Sequence, residues 1–558
     1  MISKLFNQES KTIAGAALLI GVSSILSRVL GLFRDRLLVG RFGVGDELDA
    51  YYASFQVPNF LFALLILGTL SVAFIPVFTD YLAKGKRDEA WRMTNSLLSI
   101  VAVGMGVLSL ALSLGAPWLV PHIAPGFTGE KLELTIRLTR VMMLSPFVLA
   151  LSAVFSSVLN SNRRFLAVAV APPIYNAAII FGIVFLSKPF GVMGVAYGAI
   201  IGTVLHLLVQ VPPALALGWT PRFVIDTAHA GVREVGKLFL PRVFGIDISQ
   251  LSQFVGTAIG TTFGVGAPAI FNLAMNIAAV PLGVFAIPFS IAAFPALSEA
   301  AARGDRDAFR NTFAATFRQI LFFLIPLSSM AFVLRVHVVR VLIGARSLSW
   351  HDTRLGAAAL GLFAVSLAFQ GLVPLLARAF YALKNTLIPV LISTGAMAVN
   401  IAAIFALKAW LSTGPGAATA WLWLGLYGVD DVRVLALSAA FSIASVLQVV
   451  LLAFILRRKF GRIGGTGILR AFGKFIAASA AAAWVAAAIV RPGLSDLDKH
   501  GSLSTLKEAS LATLAGLAVY VLILRLLKSE ELMAVAGAMH RRFLKVEKPL
   551  AVSDAQDL

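Results

Sequence analysis

Apolar stretches about 20 residues long follow one another along almost the whole 558-residue chain. Each is long enough to cross the hydrocarbon core of a bilayer as a helix. A water-soluble fold cannot absorb so many, because single soluble cores stop growing near ~250–300 residues. Charged residues make up only 13% of the chain, against roughly 25% in soluble domains. A backbone inside lipid must satisfy its own hydrogen bonds, so the expected fold class is an all-α polytopic membrane protein with about 14 transmembrane helices. Expected limits are 13–38, 49–80, 92–117, 134–159, 166–186, 191–217, 238–258, 266–298, 314–336, 355–380, 386–409, 434–456, 471–491 and 507–527. The first apolar run is too long, and has too many successors, to read as a cleaved signal.

The net charge of +20 would suggest nucleic acid in a soluble protein. Here the basic residues cluster in alternate loops: Lys84, Lys86, Arg87 and Arg92; Arg163 and Arg164; Arg222, Arg233 and Lys237; Arg303, Arg306 and Arg310; Lys384; Arg457, Arg458, Lys459 and Arg462. The opposite loops hold few, among them Arg41, Lys131, Lys188, Arg346 and Lys499. The alternation places both termini in the cytoplasm and leaves no need for a nucleic-acid partner. The chain has no Cys and 7 His, without a helical HExxH pairing or a Walker A sequence. Disulfide, thiolate and direct ATP chemistry are excluded, and no convergent catalytic set is visible. The expectation is a transporter, not an enzyme.

The segments repeat. FIPVFTDYLAKGKRDEAWR (74–92) matches AFPALSEAAARGDRDAFRN (293–311), with Pro76 on Pro295, Gly85 on Gly304 and Asp88 on Asp307 at an offset of 219. More faintly, Ala153, Leu159 and Asn176 lie 224 before Ala377, Leu383 and Asn400. The expected domains are an N-terminal six-helix bundle over 1–220, a parallel C-terminal six-helix bundle over 221–460, two additional helices over 461–530 and a basic cytoplasmic tail over 531–558. Such repeats suit two bundles rocking about a site near the bilayer midplane. An outer insert near 411–433 holds a WLWLGLY segment too short to span, which fits an interfacial position.

Ionisable groups inside a span cost at least ~2.5–3.5 kcal/mol each and mark functional candidates. The first span carries Arg28, Arg34 and Asp35. Arg28 and Asp35 are seven apart, share a helix face and are placed to pair across two turns. Asp49 opens the second span, Arg242 and Asp247 enter the seventh, and Arg378 lies near the inner end of the tenth. Arginine forks match phosphate oxygens, so a cationic wall of this kind suits a pyrophosphate headgroup while an apolar groove holds a lipid tail. Asn59 and Asn276 complete the candidate substrate set. Asp247 and Asn400 are the candidate cation ligands. No resident cofactor or metal is expected, and the driving force is Na⁺, H⁺ or the membrane potential. Pro58, Pro76, Pro281, Pro288 and Pro295 are expected to interrupt the second and eighth spans.

SRVLGLFRD (27–35), LDAYYASFQVPNF (48–60), AFIPVFTDYLAKGK (73–86), LNSNRRF (159–165), the segment with Gly202, His206, Gln210 and Pro212, and VPLGVFAIPFSIAAFPALS (280–298) resemble the MurJ/MviN lipid II flippases. The resemblance runs over about 13–456 and on into the last helix pair. It implies a multidrug/oligosaccharidyl-lipid/polysaccharide exporter fold in a bacterial inner membrane. It also implies export of an undecaprenyl-pyrophosphate-linked disaccharide-pentapeptide, with cell-wall synthesis enzymes as possible partners beside membrane lipids. By position, Arg28, Arg34 and Asp35 match the family's first-span charges and Asp49 its second-span acid. Where many members carry a second-span arginine and a further acid this chain has Phe62 and Leu67, and where many carry an eighth-span arginine it has Asn276. The alternatives are export of another polyprenyl-pyrophosphate-linked glycan, a multidrug exporter of the same superfamily, and a scaffold that does not transport.

Overall fold

The computed structural model describes residues 13–65, 69–243, 248–344, 348–426, 429, 431–461, 465–491 and 502–543. Every regular element among them is helical. Eleven helices are long and apolar enough to cross a membrane, from Arg87–Leu114 through Trp350–Ala382 to Leu503–Leu526. The expected segments 13–38, 49–80 and 238–258 fall outside those eleven. The first is the helix Ile13–Phe42, the second the pair Asp46–Leu65 and Thr69–Ala83, and the third the pair Ala230–Val243 and Ile248–Gly260.

The prolines break less than expected. Pro58, Pro76 and Pro295 sit inside helices, and Pro288 follows a π turn within one continuous helical run. Only Pro281 marks a change, ending the helix Ala267–Pro281 at a π turn over Leu282–Ala286 that runs on into Ile287–Arg303. The Pro172–Pro173 pair inside Phe165–Phe181 shows how a membrane helix tolerates such residues. Pro173 cannot donate to Ala169 O, and the hydroxyl of Ser23 donates to that carbonyl instead. After this helix the backbones close up: a Cβ on Gly182 would lie 2.7 Å from the Cα of Gly198, so only glycine allows the approach.

Apolar packing divides unevenly along the molecule. One buried body gathers Leu38, Leu48, Tyr51, Ile179 and Ala199 from the first half together with Phe271, Leu273, Phe363 and Leu437 from the second. A second body, with Phe74, Phe78, Met93, Val158 and Trp219, draws only on residues before 240. A third, with Phe309, Leu324, Leu375, Phe380, Phe475 and Leu524, draws only on residues after 281. The halves thus share a core near residues 38–52, expected to be the outer end, and Phe254 of the second half also packs on Val57, Leu61 and Phe60 of the first; beyond that contact the second and third bodies are separate. The last two long helices join the third body, against Arg306–Val333. The helix Ala230–Val243 packs on Thr69–Ala83. The preceding loop is strapped to Arg87–Leu114 by the side chains of Asn95, Ser96 and Ser99, which accept from the backbone N–H groups of Arg222, Asp226 and Val224.

The insert contains the helix Gly414–Leu424. Ala420 and Leu426 are buried in the shared core, while Leu422 and Trp423 are exposed. The insert is therefore half packed and half outward, not a free surface piece. Its Asp431 is partly buried, which opposes ionisation, but paired contacts with Arg433 at 2.8 and 2.6 Å hold the carboxyl below its usual range. The tail beyond Phe543 lies outside the described residues.

Candidate functional site

The helix Ile13–Phe42 lies between the halves and uses two faces. Ser23, Ser27, Gly31 and Arg34 meet Phe165–Phe181 of the first half. Arg28 and Asp35 meet the second half. This division follows from helical periodicity, since residues six apart diverge by about 120° around the axis and residues seven apart nearly coincide.

Arg28 is half-buried. Its Nη1 donates a long bond of 3.4 Å to Ala279 O, and its Nε is buried without a hydrogen-bond partner among the described residues. The guanidinium occupies the space that any side chain on Gly283 would take. Gly283 lies in the π turn, so bare backbone forms the seat. This cation stands at the seam of the halves with most of its donor capacity unspent. The expected pairing of Arg28 with Asp35 is not made. Asp35, 3% exposed, bonds to its neighbour Arg34 at 2.8 and 3.0 Å through Oδ1. Its Oδ2 accepts from Nδ2 of Asn276 at 3.0 Å, which binds the carboxylate across the seam. The Arg34 fork also donates from Nη1 to Asn176 Oδ1 at 3.2 Å.

Asp49 has a different place. Its carboxylate is fully buried and accepts the backbone N–H groups of Gly266 and Ala269 at 2.7 and 3.0 Å, capping the helix Ala267–Pro281 of the opposite half. Lys131 reaches Asp49 and Asp46 at 2.8 and 2.7 Å. Nearby, Gly126 N donates to Thr261 Oγ1 at 3.1 Å and Arg36 donates to Val341 O. Asp49 is thus set as a clasp between halves and not beside Arg28.

The other candidates lie apart. Arg378 donates to Pro374 O of its own helix at 3.4 Å. Asn59 is exposed. Asn400 is buried, and its Oδ1 has no hydrogen-bond partner among the described residues. The side chain of Arg242 and all of Asp247 lie outside the described residues. A separate apolar cavity of about 420 Å³ opens between second-half helices and Gly465–Val490, lined by Phe317, Leu372, Ala453 and Phe472, with Arg457 among its walls. Sequence reasoning did not single out Gly283, Asn176 or Lys131 as site residues. Asn176 showed only as a repeat match, and Lys131 only as a rare base in an outer loop. Gly283 carried no local signal.

The arrangement can hold an anion at the seam through Arg28, with Arg34 adding a neutralised but still donating fork. A family model described as lipid II flippase MurJ matches residues 38–495. The lipid II flippase MurJ of Burkholderia cenocepacia is 28% identical over 393 residues, covering 69% of this chain and 76% of that protein. A probable lipid II flippase MurJ of Bdellovibrio bacteriovorus is 27% identical over 403 residues, covering 71% and 76%. Among solved structures, a lipid II flippase MurJ in an inward closed conformation superposes with a TM-score of 0.69 at 24% identity, over 94% of this chain and 100% of that one. An inward-facing MATE family multidrug resistance transporter of the MOP superfamily gives 0.61 at 14% identity, over 79% and 96%. The two structures share the fold.

Proposed function

Because the chain belongs to the lipid II flippase MurJ family, we propose that it carries lipid II from the inner to the outer leaflet of a bacterial cytoplasmic membrane by alternating access. The observation that carries this reading is the uneven core, joined between the halves at one end and divided at the other. A molecule packed in this way has one end already sealed and one free to part, as a rocking transporter requires. We assign the divided end to the cytoplasm, because the Lys- and Arg-rich loops lie there. The domain division is then two six-helix bundles, with the last helix pair as an addition to the second.

In this reading Arg28 takes the diphosphate at the seam and Arg34 adds a second contact. The unspent donors of Arg28 support that role. The apolar cavity beside Gly465–Val490 takes part of the polyprenyl chain. Asp247 and Asn400 hold the coupling cation, Na⁺ or H⁺, and the unpartnered Oδ1 of Asn400 supports the second of these assignments. The test is depletion of the native flippase in a bacterium and rescue with this chain, reading lipid II in the outer leaflet. Rescue restores it. Failure to restore it, with accumulation of a different lipid-linked sugar reversed instead, would move the substrate to another glycan.

The cavity yields its own expectation. Ala453→Trp places a ring in the cavity wall, and a chain forced against it meets an overpacking cost of about 1–3 kcal/mol. Transport is expected to fall about tenfold by that cost. Ile443→Trp, at an exposed position of the same helix, is expected to leave transport unchanged. Equal activity of the two variants would remove the cavity from the substrate path.

A further inference from the structure

We infer that Asn176 is a positioning residue for the headgroup, acting through Arg34. This rests on the reading that Arg34 contacts the diphosphate. The orientation of the Asn176 amide is dictated by its surroundings. Its Nδ2 faces Ser27 Oγ at 3.0 Å, and Ser27 O and Pro172 O at 3.3 Å each. The two carbonyls accept only, so the amide nitrogen must point at them and Oδ1 must point away. Oδ1 therefore faces Nη1 of Arg34.

The consequence concerns which N–H groups of Arg34 remain for a ligand. Asp35 Oδ1 takes Nε–H and one hydrogen of Nη2. Asn176 takes one hydrogen of Nη1. A guanidinium has five, so one N–H on each Nη is left, with the plane of the fork fixed from both sides. Without Asn176 the fork can turn about its bond to Asp35 and spend those donors elsewhere. The amide's anchor is the first half alone, through Ser27 and Pro172, whereas Asp35 is held by Asn276 of the second half. When the halves move, Asn176 keeps Arg34 aimed while the other support changes.

The repeat offers a comparison inside the chain. Asn400, the repeat match of Asn176, is also buried on the helix Leu387–Leu411, which packs on Ile248–Gly260 as Phe165–Phe181 packs on the opening helix. Its Oδ1 bonds to nothing among the described residues.

The test titrates lipid II into the full-length protein in nanodiscs and follows transport separately in proteoliposomes at saturating lipid II. Asn176→Ala is expected to weaken binding about tenfold, the size of one lost hydrogen bond to a charged group, and to leave saturated transport within about twofold. Ser27→Ala, which removes one acceptor of the amide, weakens binding in the same sense by less. Arg34→Ala is the reference for the underlying reading. If Arg34→Ala weakens binding and Asn176→Ala does not, the positioning role is wrong and the contact from Arg34 stands. If Arg34→Ala changes nothing, both are wrong. A loss of folded Asn176→Ala protein with unchanged half-saturation in the remainder would assign the amide to packing and overturn the inference.

Discussion

Arg28→Ala should abolish transport while leaving a folded chain in the membrane. The two halves of that expectation have different causes. A charge inside a span costs at least ~2.5–3.5 kcal/mol to place there, and Arg28 recovers little of it inside the protein. Among the described residues it has one long bond to Ala279 O and a buried Nε with no partner. Its removal leaves no orphaned acid, since Asp35 is already paired with Arg34 and Asn276. Thermal stability in detergent is therefore expected to stay the same or rise. Binding is expected to suffer: losing two charge-assisted bonds to a diphosphate removes roughly 3–6 kcal/mol, more than a hundredfold in affinity. Gly283→Leu checks the same point from the other side, because it fills the seat of the guanidinium without removing the charge. Both variants should fail to restore outer-leaflet lipid II after depletion of the native flippase. Full rescue by Arg28→Ala would reduce this residue to a packing element.

Asp49→Ala should loosen the clasp between the halves. The substitution removes a helix cap, worth about 1 kcal/mol. It also takes from Lys131 its fully buried partner and leaves it with the exposed Asp46. Breaking a buried pair costs up to ~3–5 kcal/mol, so the joined end should part in a much larger fraction of molecules. Because the chain contains no cysteine, a single Ala267→Cys reports this without background. Ala267 is 4% exposed beside the clasp. Its labelling by a membrane-impermeant maleimide is expected to rise at least about tenfold in the Asp49→Ala background, each ~1.4 kcal/mol being a factor of ten. Lys131→Ala should raise it less, and the double variant should not add. Labelling that is indifferent to Asp49 would refute the clasp.

How far the sequence could be read depended on whether the signal was local. Arg28 was visible because an arginine amid apolar residues is costly enough to need a reason. The face shared by Arg28 and Asp35 was also visible, and both do meet the same opposing helix. What each touches was not. Asp35 took the neighbour one residue away, because Arg34 could bend back to it while Asn276 drew the carboxylate across the seam. The partners of Asp49 were equally hidden, being two backbone N–H groups 217 and 220 positions later. The prolines misled in the opposite sense. Pro58, Pro76 and Pro295 stay inside helices and only Pro281 coincides with a π turn, an outcome not encoded within a few residues of the proline.

The shared core also sets a thermal character for the cycle. If the joined end parts toward a water-filled chamber, Leu38, Leu48, Phe271 and Phe363 become hydrated instead of passing into lipid. Hydrating apolar surface raises heat capacity by about 0.45 cal/K/mol per Å². Among the described residues the two bodies at the divided end share no such core. The outward step therefore carries a curved Eyring plot that the inward step lacks, and the ratio of the two states drifts with temperature even when ligand and ion gradients are held constant.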